Sequence, residues 1–154
     1  MSYRKELEML ARHGNAAAQC DLARLYHFGT EVRQDHEAAA KWFLLAAEQG
    51  HAQAQINVAI LYTKGHGVPQ DAVRALMWSL IEDAGAKGEA QELRDIIAAT
   101  MSEEEIFMAR RMALKWRPRR RGAFHYSSLA VPPLKIVQIM PLPADFVRSF
   151  FLSG

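Results

Sequence analysis

Six histidines, one cysteine and a short arginine run offer most of the reactive chemistry in this 154-residue chain. Imidazoles and thiolates bind transition metals and act as bases and nucleophiles, provided that spacing brings them together. His13, His27, His36, His51, His66 and His125 show no HExxH spacing, and the single Cys20 cannot complete a thiolate metal set. Gly65-His66-Gly67 lacks the third glycine and the preceding strand of a dinucleotide site, so it reads as a turn. Ser2-Tyr3-Arg4-Lys5 fits the S-x-x-K pattern of β-lactam-reactive serines, but the SDN and KTG partners are missing. Neither a phosphate loop nor a nucleophile elbow is present. The expectation is therefore no metal, no cofactor and no enzyme, with an enzyme of unknown type as a residual. Cys20 reads as a small inert apolar residue ahead of a reactive thiol.

The elements that hold these residues repeat along the chain. A register of 36 residues pairs Gly14 with Gly50, Ala18-Gln19 with Ala54-Gln55, and Leu25-Tyr26 with Leu61-Tyr62. The same register pairs Gly29 with Gly65, Val32 with Val68, Gln34-Asp35 with Gln70-Asp71, and Trp42 with Trp78. A period of this length marks a solenoid, in which each unit buries its apolar face against its neighbours. Each unit reads as two helices. Ala54, Val58, Leu61 and Tyr62 form one apolar stripe at 100° per residue, and Gly65-His66-Gly67-Val68-Pro69 ends that helix. Asp71 then caps a helix carrying Ala75, Trp78 and Ile81. Phe28-Gly29, Asp35 and the Ala39, Trp42, Leu45, Ala46 face do the same in the first unit. A partial third unit begins at Ala90-Gln91 and runs to about Thr100, and Ser102-Glu103-Glu104-Glu105 is a capping box opening a last helix to Trp116. Ser2 to Arg12 looks like the second helix of a missing unit. The expectation is an all-α solenoid of antiparallel helix pairs, about seven helices over residues 1–116, with repeats at about 14–49, 50–87 and, partially, 88–116.

Composition agrees with one soluble domain. Half the residues are hydrophobic, enough to build a core. A lone cysteine gives no disulfide framework, and neither a secretory leader nor a run of about 18 apolar residues is seen, so a reducing, cytoplasmic setting is expected. Charge is asymmetric. Residues 1–116 carry 13 Lys/Arg and 16 Asp/Glu, about −3, whereas residues 117–154 carry 6 and 1, about +5. That irregular tail opens with Arg117-Pro118-Arg119-Arg120-Arg121. The basic run reads first as a solvated linker and second as a phosphate-binding surface, with no folded nucleic-acid motif beside it. Further on, 135–139 alternates like a short strand and 144–151 suits a short helix. Such apolar segments seek burial, and the tail is expected to lie on the oppositely charged body.

These residues resemble the Sel-one-like repeat (SLR) proteins of the tetratricopeptide-repeat superfamily over residues 14 to about 116. The likeness is carried by Leu22-Ala23-Arg24-Leu25-Tyr26, Trp42 to Gly50, Val58-Ala59-Ile60-Leu61-Tyr62, Gly65 to Val68 and Trp78. Arg94-Asp95, Met101-Ser102 and Ala109 to Trp116 look like the closing unit of bacterial members. Glu31 stands where a glycine is usual, and about two extra residues lie between Trp78 and Gly88. Cysteine-rich relatives are described as acting on β-lactams, but their disulfide cysteines are missing here.

The resemblance implies a right-handed α-solenoid with a concave groove lined by the first helix of each pair. On the second unit Gln53, Ile56, Ile60 and Thr63 fall on that face, opposite the Ala54 stripe. Ile56 and Ile60 are read either as packing against an adjacent helix or as a patch for an apolar side chain of a partner. Equivalent positions are Ala17, Cys20, Arg24 and His27 in unit one and Glu89, Glu92 and Ile96 in unit three. Candidate partner-binding residues are thus Arg24, His27, Gln53, Ile56, Ile60, Thr63, Glu92 and Ile96. Trp42, Trp78 and Trp116 are read as core. The leading function is a scaffold that binds a protein or peptide segment on the concave face. The alternative is a nucleic-acid-associated protein acting through Arg117, Arg119, Arg120 and Arg121. The sequence leaves oligomeric state open.

Overall fold

The structure, a computed structural model, describes residues 2–81 and 87–119. The strand and helix expected in the tail, Arg120, Arg121 and the insertion before Gly88 lie wholly or partly outside these residues. Among the described residues there are seven helices and no strand: α1 Tyr3–Arg12, α2 Ala16–Phe28, α3 His36–Glu48, α4 Ala52–Lys64, α5 Ala72–Ile81, α6 Lys87–Ala98 and α7 Glu103–Lys115. Each helix from α1 to α6 packs on the next, and α7 packs on α5.

Helix starts follow from short polar side chains that accept otherwise orphaned N–H groups. Ser2, Asn15 and Asp35 cap α1, α2 and α3, and Asp71 Oδ1 accepts from Arg74 N at 2.9 Å at the head of α5. Ser102 and Glu105 close a reciprocal capping box on α7. Helix α4 starts on His51, whose Nδ1 accepts from Ala54 N at 3.2 Å. Asn15 does that work 36 residues earlier. The sequence reading missed His51 in this role because histidine is an uncommon cap.

Each repeated polar residue makes the same bond twice. Gln19 donates to the Ala11 carbonyl at 3.0 Å, and Gln55 to that of Ala47 at 3.2 Å. Gln34 donates to the His27 carbonyl and Gln70 to that of Thr63. Asp35 N reaches the Tyr26 carbonyl and Asp71 N that of Tyr62. Buried amide side chains need partners, and here they tie one helix to the end of the preceding one. The period in the sequence is thus a period of hydrogen bonds as well as of apolar packing.

The turns show where glycine is obligatory. Gly29 and Gly65 end α2 and α4 in the left-handed region, at φ 70° and 69°. Gly67, at φ 73°, lies on the backbone of the preceding repeat, and a Cβ there would run into the His36 carbonyl. Its counterpart Glu31 also adopts positive φ, 61°, but is exposed. The missing glycine leaves the turn intact as a strained left-handed residue.

The core runs along the chain as alanine-rich seams. Ala39, Ala46, Ala54, Val58, Leu61, Tyr62, Ala75 and Trp78 are buried, as the stripes predict, while Trp42 and Leu45 are half-buried. Small residues let helices approach closely, and dispersion accumulates over many contacts. Trp116 stands edge-on to Trp78, with ring centroids 6.0 Å apart, and fixes the end of α7 to α5.

Candidate partner-binding site

The residues expected to line a groove lie on α2, α4 and α6. Ile56 and Ile60 are buried, at 1% and 4% exposure. They take the packing role that the sequence left open beside the groove role. Nine consecutive residues, Ala54 to Tyr62, are buried, so α4 is enclosed on every side at its middle. What remains polar on its inner stripe is a pair of amides. Gln53 Nε2 and Asn57 Nδ2, one turn apart at i and i+4, meet no hydrogen-bond acceptor among the described residues. Asn57 was not singled out from the sequence. At 100° per residue it lies about 40° from Gln53 and equally near Leu61 of the opposite stripe, so helical spacing alone does not single it out.

On α2, Arg24 is half-buried and sits 3.8 Å from Asp21, one turn back on the same helix. Burial pushes the Asp21 carboxyl upward while Arg24 opposes the shift. Thr63 points its hydroxyl at the Ala59 carbonyl, 2.8 Å away, and so is bound within its own helix. On α6, Glu92 and Ile96 are exposed, whereas Leu93 between them is buried.

His27 departs from the expected role. It is 7% exposed and stands edge-on to His36 at 5.3 Å, which in turn stacks on His66 at 5.0 Å. It therefore belongs to the junction of two successive repeat turns. Burial first, and the neighbouring His36 and His66 charges second, bring its pKa down to about 4. Among the described residues no group of three histidine, cysteine or acidic side chains has a geometry that holds a metal ion. Cys20 is also buried, and burial with the nearby Asp21 charge pushes its thiol up to about 12, far from the thiolate that reactivity requires.

The basic segment is partly engaged. Arg117 donates to the carbonyls of Leu114 and Trp116, and Arg119 pairs with Glu48 at 3.6 Å while its backbone N–H meets the Glu48 carbonyl at 2.7 Å. The chain leaving α7 thus returns to the end of α3. A separate open cleft, lined by Arg4, Tyr26 and the 31–35 turn, balances Arg4 and Arg33 against Glu31 and Asp35.

Comparison with known families decides between the α-solenoid classes. The Sel1 repeat model matches residues 16–51 and 52–80, the spans of α2–α3 and α4–α5. The chain carries two Sel1 repeats. Among solved structures it is similar to c5321, a protective antigen of uropathogenic Escherichia coli strains displaying an SLR fold. The two share 27% identity with a TM-score of 0.70, over 73% of this chain and 24% of that one. A Sel1 repeat protein from Oxalobacter formigenes is 24% identical with a TM-score of 0.49, over 79% of this chain and 51% of that one. The chain therefore spans about a quarter of the first protein and half of the second. No curated protein matches it. No helix among the described residues is long and apolar enough to cross a membrane.

Proposed function

We propose that this Sel1-repeat protein is a non-enzymatic scaffold that holds an extended segment of another protein along the inner faces of α2, α4 and α6. The observation that carries the reading is the pair of Sel1 repeats over α2–α5, since the Sel1 repeat is an interaction fold. Because the middle of α4 is enclosed, recognition falls to the flanks, where Arg24 on α2 offers a cation and Glu92 with Ile96 on α6 offers an anion beside an apolar side chain. The lone buried Cys20 suits a reducing, cytoplasmic setting, as in bacterial proteins of this type.

The decisive experiment is peptide-display selection on the full chain, followed by binding of the enriched peptide to Glu92→Lys/Ile96→Ser and Arg24→Glu variants. An enriched motif whose affinity drops at least tenfold in both, with helical content unchanged, is the expected result. A motif bound equally by all three proteins would remove the site. The nucleic-acid reading through Arg117, Arg119, Arg120 and Arg121 is weakened by the bonds that Arg117 and Arg119 make within the chain. Salt-dependent oligonucleotide binding lost on replacing those arginines would restore it.

A further inference from the structure

The last helix of a solenoid normally turns a polar face to water, because nothing stacks on it. Helix α7, the last among the described residues, does the opposite. Phe107 is 60% exposed and Leu114 76%, with Met108 and Met112 also exposed. At 100° per residue, Phe107, Arg111 and Leu114 fall within about 60° of one another, and Glu103, Glu104 and Lys115 border them on the same face. Only Ala109 of this helix is buried, on the opposite side, against α5. Clustered exposed apolar side chains on one helix mark an interaction surface.

The charges along that face identify the occupant. On that face its first turn is acidic, with Glu103 and Glu104, and its second half is basic, with Arg110, Arg111 and Lys115. An antiparallel copy of the same helix presents base to acid and acid to base at both ends at once. We infer that α7 is a two-fold homodimer interface, in which a second copy of this chain lies antiparallel across Phe107, Arg111 and Leu114. With the axis between Phe107 and Arg111, Glu103 of each copy faces Lys115 of the other. Each Phe107 meets the other copy's Arg111, repeating between molecules the cation–π contact that exists within one, where Arg111 lies 5.8 Å from the Phe107 ring. Such a contact is isologous and closes on itself, so it yields dimers and not filaments. A helix of 13 residues is about 20 Å long. That places the contact at the small end of specific interfaces, so the dimer dissociates on dilution. The inference is independent of the inner-helix site, whose residues it does not use.

Sedimentation equilibrium of the full chain at increasing concentration tests this, with two charge variants. Glu103→Lys/Glu104→Lys makes the face basic throughout, and Arg111→Glu/Lys115→Glu makes it acidic throughout. Wild type is expected to shift from monomer toward twice its mass, each variant alone to remain monomeric, and an equimolar mixture of the two to recover the dimer. Should either charge variant lose helical content, Phe107→Ser/Leu114→Ser replaces it and is expected to remain monomeric. A wild-type chain that stays monomeric throughout would overturn the inference and assign the face to another protein or to this chain's own residues. A dimer indifferent to every variant, or charge variants that fail to pair on mixing, would overturn it equally.

Discussion

Histidine carries more of this protein than its lack of catalytic spacing implies. Burial lowers the affinity of His27, His51 and His66 for a proton, with His36 adding to the effect at His27 and His66. The unfolded chain titrates its imidazoles near the ordinary value of about 6.5. Below that pH it takes up protons that the folded chain refuses, so stability is full above 6.5 and falls with acidification toward about 4, the folded value of His27. Urea midpoints at pH 7.5 and 5.0 are expected to show that loss. His51 adds a geometric cause, because a protonated Nδ1 cannot accept from Ala54 N. Replacing His51 with Asn copies the cap that Asn15 already makes on α2. The variant is expected to match wild type at pH 7.5 within about 0.5 kcal/mol, since short polar caps are interchangeable on that scale, and to lose less at pH 5.0. Equal acid sensitivity in the two proteins would place the effect at His27 and His66.

At the level of the helix pair, equivalent turns make opposite demands. Gly67 lies against the His36 carbonyl and Glu31 is exposed, though both adopt positive φ. Gly67→Ala adds a left-handed penalty of about 1–2 kcal/mol and a clash with main chain that cannot move alone. A loss above about 2 kcal/mol in urea unfolding is expected, drawn from those two terms. Glu31→Gly relieves the same left-handed strain, partly offset by about 0.5–1 kcal/mol of added unfolded-chain entropy. It is expected to be neutral or mildly stabilising. Opposite signs at positions 36 residues apart would establish that packing between repeats, and not turn geometry alone, demands the glycine. Much of this was legible beforehand, since Gly65 to Val68, Asp35, Asp71 and the Ala54 stripe are written in the 36-residue register. The inner face was less legible. Ile56 and Ile60 carry the same hydropathy whether they meet a helix or a ligand, and His27 is linked to His66, through His36, only after the chain has folded two turns onto each other.

For the described molecule as a whole, the attachment of the last helices matters most. The sequence implied a partial third unit, because Ala90-Gln91 continues the register. The register describes each helix but not which neighbour it chooses, and here both α6 and α7 pack on α5. The links are the Arg94 guanidinium, 2.9 Å from the Ser79 carbonyl, and the Trp78–Trp116 ring pair. Solenoids lose stability nearest neighbour by nearest neighbour, so a lesion spreads only through the interface it touches. Trp116→Leu should therefore release α7 alone. Trp78→Leu strikes the α5 platform and should release α6 and α7 together, leaving α2 and α3 protected by their own contact. Hydrogen exchange followed by mass spectrometry reads this directly, as faster exchange over 103–115 in the first variant and over both 87–98 and 103–115 in the second. Uniform acceleration from α1 to α7 in either variant would mean that the chain unfolds as one cooperative block, and that the nearest-neighbour account does not apply to it.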